Sequence, residues 1–219
     1  MSAVGQGKRE QNKQANRAAL LDAARRCFLE MGYEAVTVRD IVRLTDLASG
    51  TFYNYFPDKE SMFREILVAS MDDLNRKLHE VRQQAQSIEG FISSAYQTFF
   101  RKIGEDPDFF RLILRNEYAV RSLFRDTVIG VPMRALREDI RDAIRRGVFP
   151  ETEVNLLAAS FYGTAFEIGR VLVEQPGTTP EAAAEFATAL LTSGVAGLGN
   201  GRAVVRLIQP AKLRGLGLP

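Results

Sequence analysis

Apolar residues recur at spacings of three and four along most of the chain, without the strict alternation of a half-buried strand. This period predicts amphipathic helices with one buried stripe each, so we expect an all-α fold of about nine helices. The first helix is expected over about residues 11–31, and Gly32 supplies its C-terminal stop. Residues 1–10 are expected to form a disordered basic arm.

The segment TVRDIVRLTDLASGTFYNYFPDK, residues 37–59, predicts two short helices joined by a tight corner, followed by the start of a third. Thr37 and Asp40 have the spacing of a capping box, which favours a helix start at this point. Ala48 has no side-chain acceptor, so we expect Ser49 to cap the second short helix instead.

The second short helix has two chemically different faces. Phe52, Tyr55 and Phe56 recur at positions i, i+3 and i+4, so they are expected to face the protein interior. The residues between them are small and polar or carry a hydroxyl group, and such a face suits a groove of DNA. We therefore interpret residues 36–55 as a helix-turn-helix motif.

Periodicity predicts six further helices, over about residues 58–86, 87–103, 108–124, 126–146, 152–174 and 179–198. The 58–86 segment is apolar on one face in its first half and polar in its second, which indicates a strut between two parts of the protein. The 108–124 segment is compatible with one helix or two shorter pieces. Pro132 is expected to bend the 126–146 helix near its start.

Charge is concentrated at the two ends of the chain. The formal net charge is +2, yet residues 1–17 carry four basic side chains against one acidic one. The glycine-rich residues 199–219 carry four basic side chains and no acidic one, and are expected to form a flexible tail. An acidic body with basic ends is compatible with a local footprint on DNA, or with two solvated tails.

Residue types for several other functions are scarce. The chain has one Cys and one His, which excludes an internal disulfide and argues against a His/Cys metal site, so we expect no metal or cofactor. The sequence contains no GxSxG, HExxH or phosphate-binding glycine motif, and we expect no enzymatic activity. No apolar run is long enough to predict a membrane span, so a cytoplasmic protein without a membrane partner is expected.

The run LLDAARRCFLEMGYEAVTVRDIVRLTDLASGTFYNYFPDKESMF, residues 20–63, resembles the TetR family of bacterial transcriptional regulators, and the match covers about residues 15–67. In that family the turn usually reads Ala-Gly-Val-Ser, whereas here it reads Thr45-Asp46-Leu47-Ala48. The resemblance implies a helix-turn-helix DNA-binding domain over residues 11–60 and a larger effector-binding and dimerisation domain over residues 61–198.

The resemblance also implies the DNA contacts. Phosphates or the groove edge would be contacted by the backbone or side chains of Thr37, Val38, Arg39, Tyr53, Tyr55 and Lys59, and base edges by Ser49, Gly50, Thr51 and Asn54. The chemistry of the residues agrees, because Asn can bond adenine through two hydrogen bonds and Thr can contact a thymine methyl. Tyr55 shares the inward face with Phe52 and is equally compatible with core packing.

Two further sites are implied in the second domain. An effector pocket is expected among aromatic and apolar residues: Tyr96, Phe99, Phe100, Phe110, Leu114, Tyr118, Tyr162 and Phe166. Candidate polar anchors for a ligand are Gln97, Arg115, Glu117 and Glu167, which are equally compatible with solvated helix faces. A dimer interface is expected on the last two helices, at Ala159, Gly163, Ala183, Phe186, Ala187, Leu190 and Gly194, although close packing within one subunit would give the same pattern.

Together these features predict a sequence-specific transcriptional regulator, a homodimeric repressor that an apolar or aromatic small molecule releases from a near-palindromic operator. We expect it in the cytoplasm, and at the nucleoid when bound to DNA. An activator or an effector-independent regulator of the same fold is an alternative. Two alternatives from other classes are an architectural DNA binder and a helical small-molecule carrier without specific DNA binding.

Overall fold

A computed structural model describes residues 3–175 and 177–198, which contain only helices and connecting turns and so confirm the all-α prediction. The predicted basic tail, residues 199–219, lies outside the described residues. A 3₁₀ turn at Ser49–Asn54, here called the recognition segment, and a π-helical turn at Asp126–Gly130 complete the structure. The α-helices are α1 (Ala3–Glu30), α2 (Val38–Arg43), α3 (Lys59–Gln84), α4 (Ile88–Glu105), α5 (Pro107–Arg115), α6 (Glu117–Leu123), α7 (Val131–Arg145), α8 (Val154–Glu174) and α9 (Pro180–Leu198).

The first helix is longer than its apolar stripe predicts. It begins at Ala3, so residues 3–10 are helical where the sequence predicts disorder. The difference has a physical reason, because residues 8–15 are exposed and bury no apolar face that periodicity could detect. At the other end Gly32 adopts a φ of +84°, the left-handed conformation that ends helices and that glycine adopts without steric cost.

One core joins the helices of the predicted DNA-binding domain to the rest of the chain. Phe28 of α1 and Phe63 of α3 meet edge to face, with their ring centroids 4.6 Å apart. The Phe63 ring also lies 5.1 Å from Tyr33 and 5.2 Å from Phe124, which follows α6. These four aromatic residues are buried, so the two predicted domains share a continuous apolar contact rather than a solvated hinge.

The 108–124 segment is divided in two at Asn116, which ends α5 and precedes α6. The Asn116 side chain is buried and reaches back to the end of α1. Its Oδ1 accepts a hydrogen bond from the Tyr33 amide at 2.5 Å, and its Nδ2 donates to the Phe28 carbonyl at 3.2 Å and the Leu112 carbonyl at 2.7 Å. Asn116 therefore connects α5 directly to the DNA-binding domain.

The predicted bend at Pro132 takes the form of the π-helical turn that precedes α7. The Val131 amide donates a hydrogen bond to the Asp126 carbonyl, five residues earlier. Pro132 lies in the first turn of α7, where its missing amide hydrogen costs no helical hydrogen bond. Val128 is buried within this turn. The irregular turn thus turns Val128 and Pro132 toward the interior of the second domain.

The C-terminal helices α8 and α9 pack on α4, and α9 begins as predicted with Thr179 accepting a hydrogen bond from the Ala182 amide. Contrary to the prediction from run length, α8 is long and apolar enough to cross a membrane by those two criteria alone. It nevertheless packs against α4, α5, α7 and α9, and its Arg170 is ion-paired with Glu117 of α6. These contacts pack one side of α8 on the helical domain, while only 22% of its apolar window is buried within the subunit.

Candidate DNA-contact face and effector cavity

The predicted capping box closes the N-terminus of α2. Thr37 Oγ1 accepts a hydrogen bond from the Asp40 amide at 3.3 Å, and the Asp40 carboxylate accepts one from the Thr37 amide at 2.9 Å. Hydrogen bonds from the Thr37 side chain and backbone hold the pKa of Asp40 below its usual value. Thr37 and Arg39 are exposed and Val38 is half-buried, and because the Thr37 hydroxyl is engaged in the cap, Arg39 is the exposed residue of this group whose side chain has no role in the cap.

Thr45, which sequence analysis does not single out, builds the corner before the recognition segment. Its Oγ1 donates to the Val42 carbonyl at 2.8 Å and accepts from the Leu47 amide at 3.3 Å, the local bonding that Thr hydroxyls provide in turns. The recognition segment starts at Ser49 with Ala48 as its N-cap and without a side-chain cap. The expectation that Ser49 caps this helix is therefore wrong.

The recognition segment has the two faces that its sequence predicts. Phe52 is fully buried and Phe56 nearly so, and both pack in the core. Tyr53 is 63% exposed, with its ring edge-to-face on Phe52 at 5.2 Å between centroids. The other predicted base contacts whose side-chain exposure the structure describes are half-buried or exposed: Gly50, Thr51 and Asn54.

Tyr55 and Lys59 instead have partners inside the protein. The Tyr55 hydroxyl accepts a hydrogen bond from Asn16 Nδ2 at 3.2 Å, and its ring packs against the core. Lys59 Nζ donates to the carbonyls of Tyr33 and Val36, both at 2.8 Å, and lies 4.4 Å from the Tyr33 ring centroid. Because an ammonium group has three donors, Lys59 uses two of them to hold the loop between α1 and α2 in place.

The N-terminal part of α1 lies beside the recognition segment. An open surface cleft is lined by Arg9, Lys13 and Asn16 of α1 and by Asn54 and Tyr55 across from them. The basic side chains of this cleft are exposed. The helical extension of α1 therefore adds positive charge next to the exposed face of the recognition segment.

A mostly apolar cavity of about 90 Å³ lies in the second domain, with walls from α3, α4, α5, α7 and α8. Val128 and Pro132 contribute to its wall through the π-helical turn. Five of the eight predicted pocket residues line it: Tyr96, Phe99, Phe110, Tyr162 and Phe166. Burial raises the pKa of Tyr162 to about 12, so its phenol stays protonated at neutral pH.

The other three predicted pocket residues lie elsewhere. Phe100 is fully buried and stacks on Tyr96, with 5.6 Å between ring centroids, in the layer behind the cavity. Leu114 faces α1 beside Leu29. Tyr118 is 76% exposed, whereas the neighbouring Asn116 and Val120 take the buried positions of this segment.

The polar residues at the cavity are also different from those predicted. Gln97, Arg115, Glu117 and Glu167 do not line it, whereas Asn75 and Arg82 of α3 do. Arg82 follows Leu74 and Leu78 at intervals of four residues, so it continues the buried stripe of α3. That phase is the signal in the sequence by which Arg82 could have been recognised.

The sole Cys and His take structural positions. Cys27 is buried in α1, and burial raises the pKa of its thiol, which disfavours the reactive thiolate. His79 Nδ1 lies 2.6 Å from Asp139 Oδ1 at the edge of α3. Across residues 3–175 and 177–198, no three His, Cys, Asp or Glu side chains are grouped to hold a metal ion.

An exposed apolar surface covers one side of α8 and α9. Phe186 is 64% exposed and Leu190 55%, and a Cβ added at Gly163 or Gly194 would meet nothing within 4 Å. We call this surface the α8–α9 face: Leu156, Ala159, Gly163, Phe186, Leu190 and Gly194. Ala183 and Ala187, predicted in the same interface, are instead buried in the core of the subunit.

Residues 20–66 match the family model described as bacterial regulatory proteins, tetR family. A curated relative, the HTH-type transcriptional repressor KstR2 of Rhodococcus jostii strain RHA1, is 37% identical over 89 residues. That alignment covers 39% of this chain and 44% of the relative, so the chain spans less than half the length of this relative.

The fold is similar to those of solved regulators along most of the chain. The transcriptional regulator FadR from Bacillus subtilis, in complex with stearoyl-CoA, matches with a TM-score of 0.68 and 20% identity, covering 81% of this chain and 98% of that one. The ketosteroid transcriptional regulator KstR2 of Mycobacterium tuberculosis matches with a TM-score of 0.64 and 22% identity, covering 82% and 94%. At these identities the similarity shows a shared fold.

Proposed function

We propose that this chain, which residues 20–66 place in the TetR family of bacterial regulatory proteins, is a homodimeric transcriptional repressor that a small apolar molecule releases from DNA. The observation that carries the proposal is the combination of an exposed recognition segment and a buried cavity within one continuous core. A protein with both can report the occupancy of the cavity at the DNA-contact face.

The DNA-contact face follows from the exposed side chains. Asn54 and Thr51 approach base edges, while the Tyr53 hydroxyl and the Arg39 guanidinium contact phosphates. Lys13 and the neighbouring basic residues of α1 add phosphate contacts next to the recognition segment. Tyr55 and Lys59 act mainly as clamps that hold α1 and the α1–α2 loop around this face.

Replacing Asn54 by alanine is expected to weaken binding to the operator about ten- to a hundred-fold, because a bidentate contact between Asn and a base is worth about 1–3 kcal/mol. The operator would be found by enriching random duplex DNA on the wild-type protein at near-physiological salt. Affinity would then be measured by fluorescence anisotropy. Asn54→Ala should also relax the sequence preference at one position of each half-site, whereas Tyr53→Ala should weaken binding to all sequences alike.

Tyr118→Ala is the matched control, since it removes an equally exposed tyrosine far along the chain from this face. Its operator affinity should equal that of the wild-type protein. Enrichment of a palindromic sequence supports a dimeric regulator over a carrier. Binding without sequence preference, with a steep salt dependence, would instead support an architectural DNA binder.

The α8–α9 face supplies the dimer contact in this proposal. Its exposed Phe186 and Leu190 are surrounded by glycine and alanine, whose small side chains let a second subunit approach closely. Large exposed apolar patches are typical of protein interfaces. The dimer would place two recognition segments in successive major grooves, which is what a near-palindromic site requires.

Phe186→Glu is expected to weaken the dimer about thirty-fold or more, because central aromatic contacts in interfaces contribute roughly 2 kcal/mol or more. Sedimentation equilibrium would measure the dissociation constant. Leu123→Glu places the same charge at an exposed apolar residue of α6 and should leave the association unchanged. Equal association of wild-type protein and Phe186→Glu would move the interface to another surface.

The cavity is the effector site in this proposal, and α5 is the element that links it to DNA binding. Phe109, Phe110 and Ile113 of α5 line the cavity, and Asn116 at the end of α5 holds the end of α1. A ligand that prefers a shifted position of α5 would change the placement of the DNA-contact face by that preference. The similar folds include FadR in complex with stearoyl-CoA, whose acyl chain is apolar, and a protein named as a ketosteroid transcriptional regulator, which is consistent with an effector that has a large apolar part.

The proposed release by a cavity ligand is tested by native mass spectrometry of the purified protein. Any compound that is extracted is then added to the protein–operator complex. Dissociation of the complex supports a ligand-released repressor. A ligand in the cavity that leaves operator affinity unchanged would contradict the switching step and leave a regulator that needs no effector. An activator differs from a repressor in the sign of transcription in a reporter assay, with the same binding behaviour.

A further inference from the structure

Arg82 is a buried cation in the wall of an otherwise apolar cavity. Only 12% of its side chain is exposed, and its Nε is buried without a hydrogen-bond partner in the described part of the chain. The other polar residues lining the cavity are Asn75, Tyr96 and Tyr162, and no carboxylate is among them. A buried donor without a partner is destabilising, so this N–H is a candidate for a ligand contact.

The charge of Arg82 is already matched. Its Nη1 lies 3.4 Å from Oδ2 of Asp139, which is fully buried. Oδ1 of the same carboxylate lies 2.6 Å from His79 Nδ1 and 3.2 Å from Gln83 Nε2. Arginine remains protonated in proteins, so Arg82 and Asp139 form a neutral pair, and the Nε–H of Arg82 is a buried donor that this pairing does not use.

We propose that the cavity binds an uncharged apolar molecule whose carbonyl-type oxygen accepts a hydrogen bond from Arg82 Nε. This rests on the proposed role of the cavity as effector site and names the chemical class of its ligand. A carboxylate ligand would leave one uncompensated negative charge among buried groups, and an ammonium ligand would face Arg82 with no carboxylate of its own. A pure hydrocarbon would leave Nε without a partner.

Tyr96 does not compete for the same oxygen, since its hydroxyl already donates to the Phe161 carbonyl at 3.1 Å. The cavity of about 90 Å³ is smaller than the engineered cavity of about 150 Å³ that holds benzene, so a single ring with a short side group would enter it by displacing lining side chains. Acetophenone, ethylbenzene and benzoate are therefore suitable probes, because they share the ring and differ in the polar group.

Dissociation constants of the three probes would be measured by ligand-observed NMR on the full-length wild-type protein and on Arg82→Lys. Lysine keeps the positive charge beside Asp139 but has no Nε–H donor at that position. The ratio of acetophenone to ethylbenzene affinity is expected to fall about ten-fold in Arg82→Lys. In the wild-type protein, benzoate should bind more weakly than acetophenone.

An unchanged ratio in Arg82→Lys, or tighter binding of benzoate than of acetophenone, would overturn the assignment while leaving an effector cavity in place. Absence of binding by all three probes would overturn both the hydrogen bond to Arg82 Nε and the role of the cavity as effector site. DNA binding is measured separately and depends on neither. If Arg82→Lys does not fold, the double variant Arg82→Met with Asp139→Asn, which removes both charges, replaces it. The ratio of acetophenone to ethylbenzene affinity is expected to fall by the same factor. The comparison of benzoate with acetophenone needs no variant.

Discussion

Phe63→Ala is expected to lower the free energy of unfolding by about 3–5 kcal/mol, the range for truncating a fully buried phenylalanine. Phe63 is fully buried and contacts the rings of Phe28, Tyr33 and Phe124, so its loss leaves a cavity between α1, α3 and the chain after α6. Urea denaturation followed by circular dichroism would measure the change.

The same variant tests whether the two domains unfold together. Because the Phe63 cluster joins them, helix loss and tyrosine fluorescence should shift to lower urea in parallel. Tyr118→Ala, which removes an exposed aromatic ring, should stay within about 0.5 kcal/mol of the wild-type protein. A loss below about 1 kcal/mol in Phe63→Ala, or two separated transitions, would show that the cluster does not hold the domains together.

Local signals in the sequence predict the fold well. The caps at Thr37, Ser87 and Thr179 and the glycine stop at Gly32 are formed as their residue types predict, because each depends on bonds within four residues. The apolar period locates the helices because each helix buries one face, which repeats every three to four residues. The start of α1 is missed because its exposed N-terminal turns have no buried stripe.

Contacts between distant residues account for most of what the sequence does not reveal. Lys59 is predicted at the DNA from the family resemblance, yet it donates to carbonyls more than twenty residues earlier in the chain. Arg82 looks solvated in a polar stretch, and its burial depends on Asp139 of α7. Tyr118 is predicted in the pocket as an aromatic residue, yet Asn116 and Val120 on either side of it occupy the buried positions.

The altered turn, residues 45–48, leads into the recognition segment without the side-chain cap expected from the sequence. The Thr45 hydroxyl closes the corner through hydrogen bonds to the Val42 carbonyl and the Leu47 amide. The recognition segment that follows is a 3₁₀ turn, and its N-cap, Ala48, makes no side-chain hydrogen bond. The exposed face of that segment is still formed, because Phe52 and Phe56 on its opposite face are buried in the core. Core packing thus positions the DNA-contact residues where capping does not.

Asn116→Leu is expected to destabilise the protein by about 2–4 kcal/mol and to weaken the response of DNA binding to a cavity ligand. Leucine has the same branching pattern as asparagine, but it leaves the Tyr33 amide and the Phe28 carbonyl without the side chain that bonds them, at about 1–3 kcal/mol for each unsatisfied buried group. Since Asn116 follows the cavity-lining residues of α5, the same bonds carry any shift of α5 to α1.

Two measurements separate stability from coupling. Urea denaturation gives the loss of stability, and operator affinity with and without the compound that releases the wild-type protein gives the coupling factor, which should fall toward one in Asn116→Leu. Arg115→Ala removes a neighbouring contact to the same helix, an exposed hydrogen bond of 3.3 Å to the Glu30 carbonyl, and should change neither quantity appreciably. A destabilised Asn116→Leu that is still released as fully as the wild-type protein would show that Asn116 stabilises the fold without carrying the signal, and α3 would then be the element to test.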